Sequence, residues 1–230
     1  MKILYLETSS KNCSVAISDG TELLSLCEEV SENYKQSENL HQFVQWALEG
    51  ADIELKDLDA VCLGKGPGSY TGLRIGASAA KGFCFSLDIP LIAVNSLDSM
   101  AFPFLNKGYD YIIPMIDARR QEVYAAVFDG CSGIKEVHTQ SIVLDEISFS
   151  EYDSKKVLFV GDGAQKAADI LKLSHSSFEP DVFPTAKFML NEAVRKFEEG
   201  LFEDVAYFEP LYLKEFQGVK MADKNKKPEE

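Results

Sequence analysis

The spacing of apolar and polar positions changes several times along the chain, and each change marks an element. Lys2–Glu7 (KILYLE) is apolar between two charged ends, the mark of a short buried strand. Residues 13–18 and 23–27 read as two further strands, joined by a turn at Asp19-Gly20. From 37 to 48 the period lengthens. Leu40, Phe43, Val44, Ala47 and Leu48 recur at helical spacing, and Gly50 lies just past the end. Residues 59–64 form a short apolar run that enters a glycine-rich loop. A helix is predicted over 71–87 and, after the break at Ile89-Pro90, a strand over Leu91–Val94 and a short helix from Ser96.

Residues 102–108 look like a boundary. Beyond them Tyr111–Asp117 and Glu122–Asp129 restart the strand–turn–strand theme, and a third strand is predicted over 134–144. Val157–Val160 runs into a tight Gly161-Asp162-Gly163 turn, with helices predicted over 164–171 and 185–199. Two halves that each open with antiparallel strands and pass to helix–strand alternation indicate a duplicated α/β unit. The expected lobes are 1–105 and 106–217, the last helix being free to pack back on the first lobe. Residues 218–230 hold almost no apolar side chains and are expected to be a disordered tail.

Composition narrows the class. Hydrophobic residues make up 46% of the 230, enough for a core that needs neither disulfides nor metal. Cys13, Cys27, Cys62, Cys84 and Cys131 form no C-x-x-C pair and mostly sit in apolar runs, as reduced, buried thiols of a cytoplasmic protein do. The first apolar run meets Glu7 too early for a signal-peptide core, and no run approaches the ~20 apolar residues of a membrane span. No membrane partner is expected. The net charge is −14, with only four arginines, Arg74, Arg119, Arg120 and Arg195. Such a surface repels phosphate backbones at long range, so an RNA substrate would have to be gripped by a partner.

The candidate chemistry gathers at Gly66, Pro67, Gly68, Ser69 and Thr71, where a strand passes into a helix. Glycines admit close approach, and a helix N-terminus offers N–H groups to an anion. The order is not that of a P-loop, since Lys65 precedes the glycines, nor of G-x-G-x-x-G, since Thr71 replaces the third glycine. A tight structural turn and an anion site both remain open. In the helix that follows, Gly72, Gly76 and Ala80 recur every fourth residue among Ala77, Ser78, Ala79 and Gly82. Each glycine costs ~1 kcal/mol relative to alanine, so something packs closely on this helix from more than one side. The sheet is one neighbour; the preceding helix or a second protein is the other. Trp46 falls outside the core stripe of its helix, a placement typical of a protein contact.

The run Gly66-Pro67-Gly68-Ser69-Tyr70-Thr71-Gly72-Leu73-Arg74-Ile75-Gly76 resembles the GPGSFTGLRIG motif of the TsaB (YeaZ) family, with Tyr for Phe. Leu6-Glu7-Thr8-Ser9-Ser10, Ala79-Ala80-Lys81-Gly82, Pro114–Arg119 with Glu122-Val123-Tyr124, Gly161–Ala164 and Pro210–Leu213 are similar to further family segments, so that the likeness covers almost the whole chain. The resemblance implies a duplicated, actin-like and sugar-kinase-like two-lobe fold of ribonuclease H type. It implies a non-catalytic scaffold for TsaD, a metal-bearing paralogue, in forming threonylcarbamoyladenosine on tRNA. TsaE, a small ATPase, would join, and tRNA would enter only through the complex. Leu40, Trp46, Gly72, Gly76, Ala79, Ala80 and Phe83 are the expected contact residues. Where the paralogue carries its H-x-x-x-H metal pair this chain has Ser96 and Met100, so no metal site and no peptidase chemistry are expected. The alternative is an independent actin-like ATPase or phosphotransferase. Glu7, followed by no glycine, weakens it, and Glu7 and Asp117 are read as structural acids. No tightly bound cofactor is expected; weak ATP or ADP at a subunit joint, and a homodimer when the chain is alone, are both compatible with the resemblance.

Overall fold

A computed structural model describes residues 1–31 and 36–214, and side chains within them except those of 36–38. The tail read as disordered lies outside the described residues. The described residues form two five-stranded mixed sheets. The first contains β1 (Lys2–Glu7), β2 (Asn12–Asp19), β3 (Glu22–Val30), β4 (Ala60–Gly64) and β5 (Leu91–Val94), in the order β3-β2-β1-β4-β5. The second contains β6 (Tyr111–Asp117), β7 (Glu122–Asp129), β8 (Lys135–Val143), β9 (Val157–Val160) and β10 (Ser176–Glu179), in the order β8-β7-β6-β9-β10. In each sheet the first strand pairs antiparallel with the second and parallel with the fourth. The second half thus repeats the strand order and sense of the first, the duplication expected from the sequence.

Among the described residues five α-helices cover the sheets: α1 (Gln36–Ala51), α2 (Tyr70–Leu87), α3 (Ser96–Ala101), α4 (Ala164–Ile170) and α5 (Leu190–Glu198). β1 explains its own unbroken apolar sequence. Leu4 and Leu6 face a core closed by α1 and α2, while Ile3 and Tyr5 face a second core closed by Ala186, Met189, Leu190 and Ala193 at the start of α5. A strand covered on both sides has no solvent face for polar residues. The helix α5, from the second half, thus packs on the first sheet. Reciprocally α3, from the first half, sets Leu97, Met100 and Ala101 against Ile112, Ile116, Leu158 and Val160 of the second sheet. The two halves exchange helices.

Besides shifts of element ends, the fold differs from the sequence reading at α5 and β10. The helix predicted from residue 185 begins as a 3-10 turn over Ala186–Met189, and the α-helix starts at Leu190. β10 had no sequence signal, because an edge strand of four residues in an intermediate–exposed alternation carries only one large apolar side chain, Phe178. Cys13, Cys62 and Cys84 are buried; burial pushes the Cys13 thiol up to about 12 and the Cys84 thiol up to about 11, so these thiols behave as small hydrophobes. Cys131 is the exposed exception.

Candidate functional site

The glycine-rich loop and the first turns of α2 are packed against the turn between β1 and β2. Ser69 caps α2, its Oγ accepting from Gly72 N at 3.3 Å. Ser69 N donates to Ser9 O at 2.6 Å, and Thr8 Oγ1 donates to Gly72 O at 2.8 Å. A Cβ built on Gly68, Gly72 or Gly76 would come closer than 3.0 Å to Ser9 O, Thr8 O and Thr8 Oγ1 respectively. Gly68 and Gly72 therefore admit the chain's own Thr8–Ser9 backbone, and Gly76 the Thr8 hydroxyl. For Gly72 and Gly76 this is a correction to the expectation that they face a partner, and the contact of Gly68 with Ser9 supports the structural-turn reading of Gly66, Pro67, Gly68 and Ser69. Thr71 is exposed on the first turn of α2.

Glu7 ends β1 beneath this junction and is fully buried. Its Oε1 accepts from Ser9 N at 2.7 Å and its Oε2 from Ser96 Oγ at 2.8 Å, while Gly64 leaves room for the carboxyl group. Burial raises its pKa above the ordinary carboxylate value, against the opposing pull of those hydrogen bonds. Ser96 and Met100, which stand where the resemblance places metal ligands, hold Glu7 and fill the core under α3. Among the described residues no group of three His, Cys, Asp or Glu side chains is disposed to hold a metal ion. The corresponding acid of the second half, Asp117, is exposed: its Oδ1 accepts from Lys166 Nζ at 2.6 Å, and its backbone N donates to Asp162 Oδ1 at 2.8 Å.

The expected contact residues divide by depth. Leu40, Gly72, Gly76, Ala79 and Ala80 are buried in the monomer. Phe83 is partly exposed where α1 meets α2, its ring 6.0 Å from that of His41. Trp46 is 50% exposed and stacks on Phe43 at 5.7 Å. It lies on the far flank of α1, near Asn39, which donates to Glu29 of β3, and Gly50, which abuts Ser25. The outward stripe of α2 is instead Thr71, Arg74, Ser78, Gly82 and Phe85. Phe85 is 85% exposed and the space around Gly82 is open. Sequence reasoning missed this stripe, although the helical-wheel argument that singled out Trp46 applies equally to Phe85.

A strap after α5 borders the other flank of α2. Glu203 N donates to Leu91 O at 2.8 Å, Phe208 enters the α1–α2 core, and Lys81 Nζ donates to Ala206 O at 3.1 Å. Leu211 N then donates to Lys65 O at 2.8 Å, Tyr212 packs on Tyr70 at 5.0 Å, and Lys214 pairs with Glu122 of the second sheet. The strap ties the glycine-rich loop to the β6–β7 hairpin. A cavity of about 470 Å³ lies away from this junction, lined by Val127, Val137, Ser141 and Phe149 under β8. No described helix is long and apolar enough to cross a membrane.

Residues 28–216 match the family model of TsaD, tRNA N6-adenosine threonylcarbamoyltransferase. The tRNA threonylcarbamoyladenosine biosynthesis protein TsaB of Escherichia coli (strain K12) is 33% identical over 224 residues, 93% of this chain and 95% of that protein. TsaB of Bacillus subtilis (strain 168) is 34% identical over 166 residues, 70% of this chain and 71% of that protein. A solved structure of YeaZ from Pseudomonas aeruginosa superposes with a TM-score of 0.78 at 26% identity, covering 92% of this chain and 99% of that one.

Proposed function

The chain belongs to the TsaB family of tRNA threonylcarbamoyladenosine biosynthesis proteins, and from that premise we propose that it is a non-catalytic scaffold that docks TsaD on the outward faces of α1 and α2. The observation that carries this is the stripe Ser78–Gly82–Phe85. A phenylalanine 85% exposed beside an open glycine and a serine presents an apolar anchor with room for a partner helix to approach. Trp46 and Phe83 widen the surface, and the buried Leu40, Gly72, Gly76, Ala79 and Ala80 hold the two helices in place beneath it. A paralogue of the same fold would meet this face with its own helix pair. Without that paralogue the same face serves a homodimer, which dissociates when TsaD is added.

TsaE and tRNA enter the assembly through TsaD. A weakly held ATP or ADP belongs at the joint surface, because the donors of the glycine-rich junction are committed internally: Ser9 N to Glu7, Ser69 N to Ser9 O and Gly72 N to Ser69 Oγ. The experiment is sedimentation of the chain with TsaD, wild type against Phe85→Asp. The expected result is loss of the heterodimer by at least about 30-fold in affinity, as for an interface hot spot, with an unchanged urea midpoint. A Phe85→Asp chain that still pairs at wild-type affinity removes α2 from the interface.

A further inference from the structure

The hairpin between β6 and β7 has an unusual tip. Arg119 and Arg120 stand there in succession at φ 69° and 54°, the left-handed region that side chains other than Asn, Asp and Gly rarely enter. The hairpin is closed by Ala118 N to Glu122 O at 3.0 Å and Glu122 N to Arg119 O at 3.2 Å, so both arginines occupy the bend itself. Both are exposed; Arg120 is near enough to Glu122 for its charge to help hold that carboxyl low, yet no side-chain hydrogen bond or salt bridge to either guanidinium is found among the described residues. They are two of the four arginines in a chain of net charge −14.

The carboxylates nearest the bend are already matched. Asp117, before it, is held by Lys166 at 2.6 Å, and Glu122, after it, pairs with Lys214 of the strap. The Asp162 carboxyl accepts the backbone N–H of Asp117, and burial raises its pKa. The tip is thus a local positive point on an acidic molecule: Asp117 and Glu122 are already matched by lysines, and the two exposed guanidinium groups, of which Arg120 also feels Glu122, offer up to ten donors. Its shape is convex, which suits an extended surface better than a small ligand that needs a pocket. A forked guanidinium matches phosphate in geometry as well as charge.

We infer that the Arg119-Arg120 tip contacts the phosphate backbone of the RNA substrate in the assembled complex. The inference rests on the docking role proposed above, since the acidic body keeps the isolated chain from holding RNA firmly. Two phosphates gripped here add to the affinity and register of the RNA while TsaD carries the chemistry.

The test uses the double variant Arg119→Asn/Arg120→Gly, which removes both charges and supplies the residues this backbone prefers, so the hairpin should be at least as stable as before. An unmodified tRNA transcript is titrated into the chain–TsaD complex over a range of salt. The expected result is about tenfold weaker binding at low salt and a salt slope shallower by about 1.4–1.8, with the complex intact in sedimentation. An intact variant complex with unchanged affinity and slope overturns the inference and leaves the docking role standing. A variant that no longer pairs with TsaD also overturns it, assigning the tip to a protein contact. Should the wild-type chain itself fail to pair, the docking role falls and the inference, which rests on it, falls with it.

Discussion

Replacing Gly72 with alanine adds one methyl group to the first turn of α2, and the fold leaves no space for it. The methyl would overlap the Thr8 carbonyl oxygen, a backbone atom of the β1–β2 turn that no rotamer change can move. Relief requires α2 and the turn to separate. Overpacking of this kind costs about 1–3 kcal/mol. Separation also strains the bonds from Ser69 N to Ser9 O and from Thr8 Oγ1 to Gly72 O, each contributing about 1 kcal/mol. Alanine's better helix propensity returns at most ~1 kcal/mol. The net expectation is a loss of about 2–4 kcal/mol, which for a chain of this size is a drop in Tm of roughly 10 °C. Gly82→Ala, ten residues further along the same helix, is the control: nothing lies within 4 Å of the added methyl, and a gain of about 0.5–1 kcal/mol is expected. Urea denaturation of both variants beside wild type provides the assay. If Gly72→Ala matches wild type, or moves with Gly82→Ala, the packing argument for the glycine ridge is wrong.

Two further predictions concern the acids. Glu7 has a raised pKa in the fold, so its stabilising neutral form is complete below the ordinary carboxylate value and is lost as pH rises through the folded value. Glu7→Gln keeps an acceptor for Ser9 N without ionising; its urea midpoint relative to wild type should improve from pH 4 to pH 8, and a difference independent of pH would refute the assignment. Glu122 is the opposite case: its bonds from Lys214 and Ser141 hold its carboxyl below the usual range, so that stability is present above the ordinary value and disappears as pH falls through the folded one. Lys214→Met should cost about 0–1 kcal/mol at pH 7, because the pair is partly exposed, and nothing once Glu122 is protonated. A larger loss at neutral pH would mean that the strap carries more than this ion pair.

Much of the architecture was legible in the chain. β1, β5, β6, β7 and β9 were readable to the residue, because a buried strand must be apolar and its neighbours must turn. The duplication was legible because both halves repeat the same order of periods. The loop motif was legible as a junction, since glycines before a helix that itself contains glycines signal close approach to something. Sequence could not say to what: Thr8 and Gly72 are 64 residues apart, and only the parallel pairing of β1 with β4 brings them together.

The same limit explains the rest. Trp46 was readable as off the core stripe, yet the stripe of α2 that faces outward depends on where α1 and the strap settle against it. The sequence left α5 free to pack back on the first lobe without deciding it, and the placing of α3 on the second sheet left no mark on that helix, whose apolar face would fit one sheet as well as the other. Periodicity is a local property and determined which residues are buried and in which element. The identity of the neighbour belongs to contacts between distant segments, and these the tertiary structure alone decided. They turned a glycine ridge that sequence left open to a partner into the bed of the chain's own β1–β2 turn.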